Sequence, residues 1–339
     1  MQTQQTTYLD FLGTPDARMA IPVFQRVYSW TEWQCEELWN DICAAGATGE
    51  AHFIGSIVYL SEDMPQADDG QPAQLFSIVD GQQRTVTMTL LFAALRDYLK
   101  ATESTIAGVT AADVARCFLY VGPADAPVRK LIGAPADEET LAAVLNYTQL
   151  PEDYKVSKGV VDNYYFFLGK LQEGFDPEVL WTGLQLLFAI VVRLDETDNT
   201  QLIFEGLNSK GLPLSTSDLL RNRLFFGNTE AEQKHLVETY WEPLEALFAN
   251  DEDLTIFDAA LRCWLVAQDP SLKKCSRYEL YSAFRNYLNN GYKGTTEELM
   301  AALLHHCDIF RKLMHSPKMK QHVEWAKGNA LGGAHKIFG

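Results

Sequence analysis

The stretch Phe76–Leu95, FSIVDGQQRTVTMTLLFAAL, decides how this chain is read. LFSIV has the aromatic and β-branched content of a strand. From Thr85 to Leu99 the apolar positions return with the spacing of a substantially buried helix. Between them stand Asp80-Gly81-Gln82-Gln83-Arg84. Asp80 sits where an N-cap belongs and Gln83 follows three residues later, which is the pattern of a capping box with Asp in the Ser/Thr place, worth ~1 kcal/mol. Gly81 would ease a sharp strand-to-helix turn. Cap and turn account for Asp80, Gly81 and Gln83, but not for Gln82 and Arg84. A helix start exposes unpaired N–H groups and the positive end of the dipole, so a cation is disfavoured there unless an anion binds. N–H groups and a guanidinium can grip one phosphate together. The cap reading and the anion reading both fit the residues.

Working outward, Phe53–Leu60 (FIGSIVYL) reads as a strand. Leu186–Leu194 (LLFAIVVRL), with little polar interruption, reads as a strand near the centre of a sheet. Ile21–Val27 (IPVFQRV) reads as a short extended segment. A capping box at Ser29-Trp30-Thr31-Glu32 would then open a helix with Cys35, Leu38, Trp39 and Ile42 on its apolar side. SEDMPQADDGQPAQ is a polar loop, and residues 106–180 read as a mainly helical excursion with turns near Gly122-Pro123, Gly133-Ala134-Pro135 and Pro151. The third strand leads to a helix over Thr200–Leu207, a turn at Asn208-Ser209-Lys210-Gly211 and a helix capped around Ser215–Ser217. From about residue 229 the pattern is helical, and no internal repeat is present.

Composition bounds the class. The chain has 339 residues, 47% of them hydrophobic and 12% aromatic, which is ample for a packed core. The start MQTQQTTYLDFLGTP lacks the basic and apolar regions of a signal peptide, and no apolar run reaches the ~18 residues of a membrane span. The six cysteines form no C-x-x-C pair, the usage expected of reduced thiols in a cytoplasmic protein. A net charge of −17 excludes a protein coated by nucleic acid. Residues 301–339 nonetheless hold six basic and two acidic side chains, so any DNA contact must be local. The sequence contains neither G-x-S-x-G nor a Walker A loop.

With these residues in view, the chain resembles the ParB/sulfiredoxin-like N-terminal domain of GmrSD-type and SspE-type modification-dependent DNA restriction proteins. Asp-Gly-Gln-Gln-Arg at 80–84 looks like that family's signature. IPVFQRVYSW at 21–30 resembles its Ile-Pro-x-x-Gln-Arg-x-Tyr-x-Trp element, and IFEGLNSKGLPLSTSDLLRN at 203–222 resembles its third element. The three occur in the expected order over about residues 20–225.

The resemblance implies an α/β (α+β) fold: a ParB/sulfiredoxin-like small mixed sheet with helices, plus a mostly helical C-terminal domain. The expected division is a nucleotide-binding domain over 1–228 with its helical insertion at about 106–180, a helical domain over 229–327 and a linker-like tail over 328–339. It further implies a nucleoside triphosphatase that senses modified phage DNA, phosphorothioate-bearing DNA among the candidates, and licenses an HNH nuclease domain or partner. The cofactor would be GTP, UTP or ATP with Mg²⁺, and a homodimer is compatible with the family. Asp80, Gln82, Gln83 and Arg84 would act in catalysis, with Asp80 also a metal ligand. Gly81, Arg84, Thr85, Gln25, Arg26, Asn208 and Lys210 would hold the nucleotide. Phe24, Tyr28 and Trp30 would sense the DNA. Asn208, Lys210 and Gly211 also fit a plain helix-ending turn, and Asp218 a first-turn acid. A nucleotide- or DNA-binding switch without turnover and a ParB-like phosphotransferase remain open as alternatives. An HNH site needs a His base and metal ligands on a ββα unit. The C-terminal histidines lie in helical context with no hairpin, so the nuclease is expected to be absent from this chain.

Overall fold

The computed structural model describes residues 1–63, 74–146, 148, 156–195, 198, 203, 215–226, 228–248, 255–274 and 279–314. Two compact units emerge, residues 1–212 and 213–339.

The first unit is a mixed sheet packed with helices. Its strands are β1 (Gln2–Thr7), β2 (Ala17–Ala20), β3 (His52–Asp63), β4 (Gln74–Asp80), the two-residue pieces β5 (Tyr120–Val121), β6 (Val128–Arg129) and β7 (Leu131–Ile132), and β8 (Leu187–Leu194). The main sheet runs β1-β8-β3-β4-β2-β7. β3 lies antiparallel to β4 and parallel to β8, while β2 lies parallel to both β4 and β7. β8 is an interior strand, as its apolar run requires. β7 shows that the 106–180 excursion, otherwise mostly helical, also returns to extend the sheet.

The helices of this unit are α1 (Tyr8–Leu12), α2 (Glu32–Thr48), α3 (Gln82–Thr102), α4 (Ala111–Val114, continued by a π turn Ala115–Leu119), α5 (Pro135–Asn146), α6 (Lys158–Glu173) and α7 (Pro177–Leu186). α3 is the central one: Met88, Leu90, Leu91, Phe92, Ala93, Ala94 and Leu95 have no exposure at all. A helix apolar on every side belongs inside a core. Where α3 must carry a charge, it pairs it. Buried Arg96 meets Asp97 at 2.6 Å and donates to the Leu145 carbonyl at 2.8 Å, and Tyr164 Oη donates to Asp97 at 2.7 Å.

Two local expectations are corrected. Ile21–Val27 is not extended: β2 ends at Ala20, and Gln25 N–H closes a turn onto the Pro22 carbonyl at 2.9 Å. Ile21 and Phe24 are buried, which explains the apolar look of the segment without a ladder, and Pro22 has no N–H to give one. The α2 start lies two residues later than expected. Thr31 is its N-cap, and Gln34 Oε1 accepts from Thr31 N–H (2.8 Å) and Oγ1 (2.7 Å).

The second unit is helical where described, with helices at Thr216–Phe225, Glu230–Leu236, Glu242–Ala246, Thr255–Gln268, Leu280–Asn290 and Thr296–Met314. Its core includes Phe225, Trp241, Trp264, Phe284 and Leu303. The helix expected at Thr200–Leu207 falls almost wholly outside the described residues, as does the tail at 328–339. No helix among the described residues is long and apolar enough to cross a membrane.

Candidate functional site

β4 delivers Asp80 to the edge of the core, and the chain turns into α3 through Gly81, whose φ of 91° lies in the left-handed region that favours glycine. A Cβ there would also approach the Ser56 carbonyl at 3.2 Å. Gly81, not Asp80, is therefore the N-cap, and no side chain caps the helix. The expected Asp80–Gln83 capping box is absent because Asp80 is still the last residue of the strand. Its Oδ2 instead accepts from Ser56 Oγ at 3.3 Å and pairs with Arg84 at 3.7 Å. The first turn of α3 holds no acidic residue.

Arg84 does not stand at an exposed helix start. Its side chain is 20% exposed. Nη1 donates to the Ile54 carbonyl and Nη2 to the Ser56 carbonyl, so the guanidinium spans the bulge where β3 shifts register against β8 between Phe53 and Ser56. Gly55 sits beneath it with φ 104°, and a Cβ there would fall 1.6 Å from Nη1. Arg84 thus ties the start of α3 to a strand two positions along the sheet from β2. The sequence offered one signal of this: a glycine inside a strand pattern marks a bulge or a close approach.

The two glutamines face the 21–30 segment. Gln82 Nε2 donates to Gln25 Oε1 (3.1 Å), and Gln25 Nε2 donates to the Val79 carbonyl (2.9 Å). Gln83 Oε1 accepts from Ser29 N–H (2.8 Å) and Trp30 N–H (3.3 Å), while its Nε2 donates to the Val27 carbonyl (3.2 Å). All three glutamines are buried. The two motifs are therefore one hydrogen-bonded unit: the Gln83 side chain satisfies backbone groups of Val27, Ser29 and Trp30, while Gln82 holds the Gln25 side chain. α5 and α6 complete the clamp. Asp137 Oδ2 accepts from Tyr28 N–H (2.7 Å), and Asn163 Nδ2 donates to Tyr28 Oη and the Trp30 carbonyl, both at 2.8 Å.

Thr85 is fully buried, and its hydroxyl donates to the Gly81 carbonyl (3.0 Å) and lies 3.2 Å from Tyr8 Oη. Burial pushes the Tyr8 phenol up to about 12, with Arg84 and the Thr85 hydroxyl opposing. Phe24 and Tyr28 are core residues rather than parts of an apolar surface. Tyr28 Oη lies 2.6 Å from Thr87 Oγ1, and burial raises the phenol further than that of Tyr8. Trp30 is half-buried. It lines a cleft of about 520 Å³ together with Trp33, Lys158 and Asp162. Trp33, 62% exposed, was not anticipated, because an aromatic among Thr31, Glu32 and Gln34 interrupts no apolar pattern.

Arg26 differs from the rest of the segment. Its Nε is shut off from solvent and has no hydrogen-bond partner, and no ion pair reaches the side chain among the described residues. Asn208 and Lys210 lie outside the described residues. Among those described, no cluster of three or more His, Cys, Asp or Glu side chains could hold a metal.

The family model for the GmrSD restriction endonuclease N-terminal domain matches residues 9–225, more than half of the chain, and spans all three motifs. No curated protein matches the chain.

Proposed function

This chain belongs to the GmrSD restriction endonuclease N-terminal domain family, and on that premise we propose that it hydrolyses a nucleoside triphosphate in response to modified DNA. It would thereby license an HNH nuclease domain or partner in defence against phage. The observation that carries the reading is Arg26, a buried guanidinium nitrogen with no partner, in the segment that Gln82 and Gln83 fasten to the start of α3. That start is uncapped and free of acid. Its N–H groups, the positive end of a helix running from Gln82 to Thr102, and a cation with no ion pair among the described residues together favour a polyphosphate.

On this reading Arg84 is a positioning residue. Its guanidinium holds the β3 bulge and sets the angle at which α3 leaves the sheet. Gln82 and Gln83 position the Arg26 segment. Asp80 engages only its Oδ2 among the described residues. One carboxylate beside substrate phosphates is an ordinary Mg²⁺ environment, so the residues fit the metal the nucleotide would bring. Asp80 would help hold the metal, which would supply charge neutralisation to the phosphates. Asn208 and Lys210 would close the nucleotide site. DNA sensing would fall to Trp30 and Trp33 at the 520 Å³ cleft, where Lys158 offers a phosphate contact. Bases stack on such aromatics.

The test is phosphate release by the full chain over the four NTPs, with and without modified DNA, beside nucleotide affinity of Arg26→Ala. Losing a charged contact to phosphate weakens binding by ~1.5–3 kcal/mol, roughly 10- to 150-fold, while the fold is kept. An unchanged affinity removes Arg26 from the site. The engagement of Asp80 by Arg84 and Ser56 favours a second reading, a binding switch without turnover. Nucleotide binding without phosphate release under any condition would select it, and transfer of labelled phosphate to an acceptor would select a phosphotransferase.

A further inference from the structure

A separate pocket of about 630 Å³ opens in the first unit, lined by the turn after α1, the α4–π-turn segment and the β5–β6 hairpin. Its volume falls within the roughly 300–1,000 Å³ of small-molecule sites. Pro15, Ala112, Ala115, Val121 and Pro127 give it apolar walls, and Lys130 lies in the lining. Lys130 is 4% exposed, and its Nζ donates to the Cys117 carbonyl at 2.9 Å. An ammonium carries three donors. Among the described residues no carboxylate lies within ion-pairing distance of this one, and the carbonyl is its single acceptor. A buried cation with one neutral acceptor bears an uncompensated desolvation cost.

The other charged and titratable groups at the pocket do not supply a counter-ion. Asp16 is exposed and acts on Lys130 only at a distance, as does the Cys117 thiol. Arg116 also lines the pocket, but it is 74% exposed and pairs with Asp113 at 3.3 Å. The Tyr120 hydroxyl is committed to the Leu145 carbonyl. The pocket therefore holds one buried positive charge and apolar walls, with no second buried cation for a doubly charged group.

We propose that this pocket binds a small monocarboxylate with an apolar body, the carboxylate on Lys130 Nζ and the body against Pro15, Ala112, Ala115, Val121 and Pro127. The lysine supports it further: burial lowers its pKa to about 8, with Cys117 and Asp16 opposing. A bound carboxylate favours the protonated amine, so affinity is full below pH about 8 and falls as pH rises through that value.

The experiment uses the full chain and hexanoate as probe, followed by calorimetry and ligand-observed NMR. Saturable binding at neutral pH, absent for hexylamine, is expected. Lys130→Met should weaken it roughly 10- to 150-fold, the effect of one charged hydrogen bond, and Lys130→Arg should retain most of it. A wild-type pH series needs no variant and guards against misfolding of Lys130→Met. No saturable binding, equal affinity for hexylamine, or affinity unchanged well above pH 8 would overturn the proposal. None of these readouts involves a nucleotide, so failure here leaves the nucleotide reading standing, and the reverse.

Discussion

The helix Thr216–Phe225 and the helix α3 both follow polar motif residues, yet their first turns are completed in opposite ways. At Thr216–Phe225, Ser215 Oγ accepts from Asp218 N–H at 3.1 Å and Asp218 Oδ2 accepts from Ser215 N–H at 3.1 Å, a full capping box with an acid on the positive end of the dipole. At Gln82–Thr102, glycine stands at the cap, no side chain caps and no acid is present. What replaces them is tertiary: Gln82, Gln83 and Arg84 all reach away from their own helix to fasten other segments. A helix start finished locally does only structural work. The start of α3 is secured by tertiary bonds and carries neither a side-chain cap nor an acid, and on the proposed reading that difference leaves its N–H end for an anion.

The largest effect should come from cutting the tertiary bracing. Arg84→Ala strands the Ile54 and Ser56 carbonyls and removes two charge-assisted bonds that are largely shielded from water. The expected loss is about 2–4 kcal/mol of unfolding free energy, measured by denaturant titration. Little loss of stability would return Arg84 to the role of a free phosphate ligand. Gly81→Ala comes next. A non-glycine residue held at φ 91° costs roughly 1–2 kcal/mol, and its Cβ would press on the Ser56 carbonyl 3.2 Å away. If Gly81→Ala melts like wild type, the turn is not the constrained element described.

Much of this was legible in the sequence, for identifiable reasons. β3, β4, α3 and β8 carry apolar periodicity strong enough to read directly, and Asp218 fell in the first helical turn as expected. β1 did not announce itself. QTQQTT is a polar edge strand paired to β8, and a strand with four exposed residues has no apolar alternation to detect. Ile21–Val27 misled because burial of Ile21 and Phe24 mimics a strand, while the Gln83 side chain that holds the Val27 carbonyl comes from 56 positions away. The same holds for Arg84. The sequence shows a cation beside a helix start, but not that a bulge in β3 aims two carbonyls at it. Side-chain-to-backbone bonds across the fold have no signature in local spacing.

The smallest pair of effects sharpens the comparison at the caps themselves. Ser215→Ala removes the hydroxyl of a complete capping box and should cost about 1 kcal/mol. Asp80→Ser should cost less. Asp80 caps nothing, and its pairing with Arg84 is 3.7 Å long between side chains 18% and 20% exposed, a partly screened contact worth under ~1 kcal/mol. Stability alone thus ranks the two serine-sized changes, with the cap above the motif acid. Phosphate release then divides the roles of Asp80. If its carboxylate meets the nucleotide's metal, Asp80→Ser loses turnover while its melting temperature stays near wild type. If Asp80 only steadies Arg84, turnover persists in the folded variant and the catalytic assignment of Asp80 fails. Should Asp80→Ser instead prove more destabilising than Ser215→Ala, the contrast between a locally capped and a tertiary-braced helix start would not hold.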